Sequence, residues 1–164
     1  MPTIINLDSK IINFFHKISV PMARFGLFVI FFWFGILKVI GLSPAAPLVQ
    51  ALFEQTISFM SFDTFIILFG LFECLIGILF IIRGLERLVI PLLFAHMITT
   101  FMPLFLVPGM TWSSFLVPTL EGQYIIKNLV IIAAAMAIAA NLHPLSKEKL
   151  SIYEKYFKKY ITVK

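Results

Sequence analysis

The sequence predicts an all-α fold, namely an integral membrane four-helix bundle with short interfacial helices. Of the 164 residues, 60% are hydrophobic and 13% are charged, whereas a soluble domain carries about 25% charged residues. The apolar residues also form long runs, and the run 64–82 alone reaches about 28 Å at ~1.5 Å per residue, the thickness of a bilayer core. The length of the chain allows four such spans joined by short loops.

The predicted bundle covers residues 24–142, with spans at about 24–41, 64–82, 88–107 and 123–142. The third span contains Pro91 and Pro103, which imply kinks that neighbouring helices tolerate. In the fourth, Ala133, Ala137 and Ala140 share one face, and small residues there permit close helix contact. Both features predict spans that pack against one another.

The N-terminal arm, residues 1–23, mixes apolar residues with lysines and a histidine. Such a pattern predicts a short interfacial helix that ends before Pro21. A cleaved signal peptide is the alternative for this region. It is disfavoured because no A-x-A cleavage site follows the first apolar run, and because that run contains Lys38.

Three further segments lie outside the predicted spans. Residues 42–63 are too short and too polar to span, and a short helix on the membrane surface is expected after Pro44 and Pro47. Residues 108–122 are predicted to form a loop. Residues 143–164 are predicted to be a basic amphipathic tail that binds anionic lipid.

The basic residues predict the orientation of the chain in the membrane. Eleven of the 13 Lys and Arg residues fall in the arm with Arg24 directly after it, in the 83–87 turn and in the tail, whereas 42–63 and 108–122 contain none. The positive-inside rule then places both termini in the cytoplasm of a multi-pass protein of the inner or plasma membrane. A net charge of +5 that is segregated in this way does not indicate nucleic-acid binding.

Each span contributes one ionisable residue to the outer half of the bundle: Lys38, Glu73, His96 and Lys127. Counting ~1.5 Å per residue, the lysines lie about 5 Å and the other two about 14–17 Å below the outer boundary. A charge at the greater depth costs roughly 2.5–3.5 kcal/mol, so Glu73 is expected to be protonated or paired. A lysine stem bridges only part of the vertical gap, so a water or a ligand is expected to fill the rest. The four residues predict a polar pocket that opens toward the outer leaflet.

Four further residues are secondary candidates for this site. Thr99 and Thr100 share a helix face with His96 and are expected to extend the network. Glu121 adds an acid at the rim, and Arg24 opens the first span. Each ionisable residue also has a purely structural interpretation: the lysines snorkel to the interface, the histidine bridges helices, and the glutamate pairs with a lysine. The agreement of four helices in depth favours a site.

A resemblance to the DoxX-like superfamily of small four-span membrane proteins is carried by the runs RFGLFVIFFWFGILK, FGLFECLIGILFIIRGLERL and EGQYIIKNLVIIAAA. The residues that match the family pattern are Arg24, Gly35 with Lys38, Glu73 with Gly77, and Lys127. The superfamily includes a bacterial branch linked to reactive-chlorine resistance. The chain departs from that branch in its first outer loop and in having Asn128 after the fourth-span lysine.

The resemblance implies a role in a redox or stress-defence system, because relatives include subunits of quinone-linked sulfur oxidation and associates of thiol and superoxide defence enzymes. We therefore expect the pocket to bind a quinone-like or oxidant-related small molecule. Lys38 and Lys127 would donate hydrogen bonds to an oxygen of the ligand, while Glu73 and His96 would relay protons.

The sequence contains no intrinsic cofactor motif. It has no paired-histidine haem pattern, no nucleotide loop and a single cysteine, Cys74, and therefore predicts no Cys-based metal site. Electron transfer would require a membrane or peripheral redox protein, or the chemistry of the ligand itself. As part of an enzyme, the chain would be a non-catalytic subunit of a quinone-linked oxidoreductase.

Two other functions remain open. A non-catalytic accessory or assembly protein would use the charged groups to fix the bundle and the interfacial helices to dock partner proteins. A small-solute or proton-coupled transporter would require a homodimer, since four short spans make a minimal pathway and no inverted repeat is visible. Membrane lipid is a partner in every case.

Overall fold

The computed structural model describes residues 2–144, and these are mostly helical. The helices are α1 (Pro2–Val39), α2 (Ala46–Thr56), α3 (Phe62–Ile81), α4 (Glu86–Phe101), α5 (Pro103–Leu106), α6 (Pro108–Thr111), α7 (Leu120–Lys127) and α8 (Leu129–Ala140). Two short strands, β1 (Trp112–Ser114) and β2 (Val117–Pro118), form an antiparallel hairpin. The mostly helical class is confirmed. Apart from its first two residues, the predicted tail 143–164 lies outside the described residues.

Four helical stretches are long and apolar enough to cross a membrane: Ile4–Val39, Phe62–Ile81, Glu86–Leu106 and Leu120–Ala140. Their number and order agree with the prediction. The third is interrupted before Pro103, since proline has no N–H to donate to the preceding turn. The fourth is interrupted at Asn128, so that α7 and α8 are separate helices.

The first helix differs from the prediction. Because α1 continues from Pro2 to Val39 with Pro21 inside it, the predicted separate helix ending before Pro21 is wrong. The φ of proline is itself helical, so one proline removes a hydrogen bond without forbidding the helix. Residues 4–17 are all exposed and extend beyond the packed part of the bundle.

Helices α1 and α3 form the most extensive helix pair of the fold. Their backbones come close at three glycines. A Cβ atom built on Gly35 would lie 2.6 Å from the carbonyl oxygen of Gly70, and one built on Gly70 would lie 2.6 Å from that of Gly35. A Cβ on Gly77 would lie 2.8 Å from the amide nitrogen of Phe32. Only glycine leaves room for this approach, which is typical of helices packed in membranes.

The hydrophobic core lies between α1, α3, α4 and α8. It contains Leu27, Phe31, Ile76, Phe80, Val89, Leu93, Met97, Ile131, Ala135 and Ile138. The face of Ala133, Ala137 and Ala140, predicted to permit close helix contact, is exposed and makes no such contact within the described chain; the buried residues of α8 are Ile131, Ala135 and Ile138. Helix α8 is apolar on all sides, so its sequence does not distinguish the face that packs from the face that does not.

The two ends of the bundle are built differently. At one end Arg24 donates from Nε to the carbonyl oxygen of Phe80 at 2.9 Å and also pairs with Glu86. Arg24 therefore joins α1 to the end of α3 and the start of α4. At the opposite end the predicted loop 108–122 instead contains α6 and the hairpin, since the Thr111 and Thr119 hydroxyls donate to backbone carbonyls. The short helix predicted in 42–63 is α2.

We predict that Gly70→Ala lowers the free energy of unfolding by about 1–3 kcal/mol, because the new methyl group has no room against the backbone of α1. Gly26→Ala on α1 is the matched control, because a Cβ atom on Gly26 meets nothing within 4 Å. It should be neutral or slightly stabilising. Unfolding of the purified protein in detergent micelles measures both, and equal stability of the two variants would contradict the close packing.

Candidate functional site

Three ionisable side chains from three helices meet in the interior of the bundle. The Lys38 Nζ atom on α1 donates to Glu73 Oε2 on α3 at 2.5 Å. The His96 Nε2 atom on α4 lies 3.3 Å from Glu73 Oε1. Their exposed fractions are 6% for both Lys38 and Glu73 and 4% for His96. We call this cluster the triad, and in it each carboxylate oxygen faces one basic group.

The glycine contact between α1 and α3 explains why the lysine reaches the glutamate. Lys38 lies three residues after Gly35, and Glu73 lies three residues after Gly70, so each shares a helix face with its glycine. Since the two glycines contact each other, the two charged residues come to the same level. The Cβ atom of Lys38 lies only 2.9 Å from a Cβ built on Gly70. The predicted gap for a water or ligand between lysine and glutamate is therefore absent, and that expectation was wrong.

Aromatic rings enclose His96. The centroids of Phe31, Phe69 and Phe72 lie 5.4, 5.1 and 6.0 Å from the centroid of the imidazole. Among the described residues, the His96 Nδ1 atom is buried and has no hydrogen-bond partner. A buried polar atom without a partner costs free energy, so Nδ1 is the position in the triad where a bound molecule would gain most.

Phe69 also covers the lysine. The Lys38 Nζ atom lies 5.7 Å from the centroid of the Phe69 ring, within the range of a cation–π contact. Because this ring is only half-buried, it lies between the triad and the surroundings of the bundle. Phe69 was not among the site residues predicted from the sequence. Its place four residues before Glu73, on the same helix face, was the available signal.

The predicted secondary residues Thr99 and Thr100 do not join the side-chain network. Their hydroxyls donate to the carbonyl oxygen of His96 at 2.7 and 3.0 Å. Hydroxyl groups on helices often bond to the preceding turn in this way. They therefore act on the backbone of α4 near its break and leave the imidazole of His96 untouched.

Lys127 does not lie in the triad. It is exposed at the end of α7, with its Nζ atom 4.9 Å from the centroid of the Tyr124 ring. The inward-facing residues of α7 are Gly122 and Ile125. Lys127 lies two residues after Ile125, about 200° round the helix at ~100° per residue, and therefore on the opposite face. Counting residues estimates the position along a helix but not which face packs inward.

Glu121 and Arg24 also lie apart from the triad. Glu121 is exposed in the first turn of α7. Arg24 lies at the opposite end of the bundle, about 21 Å from Lys38 along α1 at ~1.5 Å per residue. Its guanidinium group donates to the carbonyl oxygen of Phe80 and pairs with Glu86. The structure thus brings together three of the four principal candidates, and none of the secondary ones adds a side chain.

The most prominent cavities of the described chain do not reach the triad. One, of about 400 Å³, is an apolar groove along α4 and α5, lined by Phe94, Met97, Ile98, Phe101, Met102, Phe105 and Ile132. The other, of about 270 Å³, lies at the Arg24 end. No group of three or more His, Cys, Asp or Glu side chains within residues 2–144 is placed to hold a metal ion. Neither cavity is lined by a residue of the triad, whose three members are buried.

The chemistry available to the triad is proton transfer and hydrogen bonding. An imidazole has two ring nitrogens, so it can receive a proton on one and release a proton from the other. Glu73 accepts a hydrogen bond from Lys38, and its other carboxylate oxygen lies 3.3 Å from His96 Nε2. The carboxylate is therefore placed to interact with both basic side chains.

We predict strong coupling between Lys38 and Glu73. Lys38→Met or Glu73→Leu alone should lower the free energy of unfolding by about 3–5 kcal/mol, because each leaves a buried charge without its partner. The double variant should lose less than the two single losses added together. Thermal unfolding in lipid nanodiscs measures the cycle.

The matched control for this cycle is Lys127→Met, which removes the same charge at an exposed position. It should change the free energy of unfolding by no more than about 0.5 kcal/mol. Additive losses for Lys38 and Glu73, or a loss for Lys127 as large as for Lys38, would contradict the buried ion pair.

Comparison of the chain with models of known protein families, with curated proteins and with solved structures finds no match. The DoxX-like resemblance therefore stays a prediction that depends on the sequence motifs.

Proposed function

We propose that this protein is a multi-pass membrane protein of DoxX-like type whose triad is the polar centre of a site for a small oxygen-bearing molecule. The expected ligand is quinone-like or oxidant-related, and the protein would act in a redox or stress-defence system. The observation that carries the proposal is the buried triad itself, with the imidazole Nδ1 of His96 left without a partner.

The membrane placement has two supports. Four helical stretches are long and apolar enough to span. The end of the bundle that contains Arg24, Arg83 and Arg87 is basic, whereas the opposite end contains the carboxylates of Glu54 and Glu121 and one exposed basic residue of the described chain, Lys127. By the positive-inside rule the arginine end faces the cytoplasm of an inner or plasma membrane.

The free energy required to bury charged groups favours a binding site over a purely structural ion pair. A buried ion pair is often less stabilising than apolar residues of similar volume. Within a bilayer an ionisable residue marks a functional site by default. Here three such residues share one cluster, and the third is incompletely satisfied. A purely structural pair between α1 and α3 would not require His96.

Binding would require movement of Phe69. Because the prominent cavities do not reach the triad, a ligand would enter where the half-buried ring lies against Lys38 and His96. A carbonyl oxygen of the ligand would then accept a hydrogen bond from the Lys38 ammonium group. His96 and Glu73 would supply or accept the proton, and any electron would come from a partner protein or the ligand.

We predict that Glu73→Gln weakens binding of a short-chain ubiquinone by at least about tenfold, because it removes the charge that holds both basic groups in place. Glu121→Gln removes the same charge from an exposed position and should change the affinity less than twofold. Isothermal titration of the detergent-solubilised protein measures the affinities. Equal affinity of wild type and Glu73→Gln would exclude the carboxylate from the site.

A second candidate is a non-catalytic accessory or assembly protein. The direct 2.5 Å contact between Lys38 and Glu73 favours it, since a closed pair is suited to fixing a bundle. The exposed apolar side chains of residues 4–17 would then be available for docking. Under this function, a substitution in the triad would lower activity only by lowering the amount of folded protein.

We predict that Lys38→Met reduces the oxidant survival of cells that depend on this protein more than it reduces the amount of folded protein in the membrane. Lys127→Met should change neither quantity. Survival assays combined with quantitative immunoblotting of membranes provide both measurements. If survival falls only in proportion to the amount of protein, the accessory function replaces the small-molecule site.

A further inference from the structure

A crevice of about 270 Å³ lies at the basic end of the bundle, between α1 and the end of α3. Its lining residues are Val20, Pro21, Arg24, Ile81 and Arg83. Two arginines thus face a space whose other walls are apolar. Arg24 lies about 21 Å from Lys38 along α1 at ~1.5 Å per residue, and nothing in the proposed function uses the crevice.

Arg24 has an incomplete set of partners. Its Nε atom donates to the carbonyl oxygen of Phe80, and its Nη1 atom pairs with Glu86. The Nη2 atom is buried and has no hydrogen-bond partner among residues 2–144. A guanidinium group presents five donors in a fixed planar fork, so an unused Nη2 can bind an anion without disturbing the bonds that Arg24 already makes.

Arg83 adds a second positive charge at the mouth of the crevice. It lies directly after α3, before the left-handed turn at Gly84 with φ +93°. It is exposed, and none of the ion pairs in the described part of the chain includes it. Of the residues that line the crevice, Arg24 and Arg83 are the charged ones, and only Arg24 pairs with a carboxylate of the described chain, that of Glu86. The crevice therefore carries an excess of positive charge.

We propose that this crevice binds a phosphate group. Arginine binds phosphate oxygens through paired, charge-assisted hydrogen bonds, and here two arginines converge on one space. The apolar walls formed by Val20, Pro21 and Ile81 suit the glycerol and acyl part of a phospholipid. In the proposed orientation the crevice lies at the level of the headgroups of the cytoplasmic leaflet, where anionic lipids are enriched. The inference depends on the membrane placement and is independent of the quinone site.

The test is binding by native mass spectrometry of the full-length protein released from detergent, with a short-chain phosphatidylglycerol as the probe. Wild type should bind one molecule of phosphatidylglycerol more tightly than phosphatidylcholine of the same chain length, because the choline cation of the latter offsets the phosphate charge and is repelled by the two arginines. Arg83→Gln should weaken the binding of phosphatidylglycerol by about tenfold. Lys17→Gln, which removes one positive charge on α1 outside the crevice, should weaken it less than twofold.

A competition experiment identifies the source of the phosphate. If inorganic phosphate at millimolar concentration displaces the lipid from wild type, the site recognises phosphate alone. If it does not, the acyl chain contributes and the ligand is a lipid. Both outcomes support the crevice as a phosphate site.

Equal binding by Arg83→Gln and Lys17→Gln, or equal affinity for the two lipids, would overturn the proposal. Glu73→Gln should bind phosphatidylglycerol like wild type, so failure of the triad as a quinone site and failure of the crevice are distinguishable. Arg83 is exposed, and its replacement leaves the Arg24 contacts intact, so the test does not depend on a variant that disrupts the bundle.

Discussion

The contact between Gly35 and Gly70 determines the centre of this molecule. It brings the backbones of α1 and α3 so close that no Cβ fits between them, and each glycine is followed by a charged residue one turn later. The short path between the helices is what allows the Lys38 ammonium group to reach Glu73 directly. A side chain at either glycine would hold the two helices further apart. The two charges would then need water or another hydrogen-bond donor between them.

The addition of His96 changes the character of this pair. A lysine and a glutamate alone would neutralise each other, but the imidazole on α4 lies 3.3 Å from the second carboxylate oxygen and adds a group that can both donate and accept a proton. Three aromatic rings surround it. In such surroundings hydrogen bonds are strong and unsatisfied polar atoms are costly, so the protonation of one member influences the other two.

Helix α1 links the two polar regions of the protein. Lys38 near one end belongs to the triad, and Arg24 nearer the other end joins α3 to α4 and lines the basic crevice. The two regions lie on the same seam with α3, since Arg24 donates to Phe80 close to the end of that helix. The apolar core formed by Leu27, Phe31, Ile76 and Phe80 separates them, so each can bind or titrate without a direct electrostatic contact with the other.

Apolar run lengths predicted the mostly helical class and the number of helices long and apolar enough to cross a membrane, because bilayer thickness and the helical rise are fixed physical quantities. Which residues share a face was decided only by tertiary packing. Lys127 points away from the triad, since it lies on α7 two residues after the inward-facing Ile125. The sequence of α8 is apolar on every side and therefore could not identify Ala135 as its packed residue. The continuity of α1 through Pro21 was equally undetermined, because proline weakens a helix without specifying whether its neighbours maintain it.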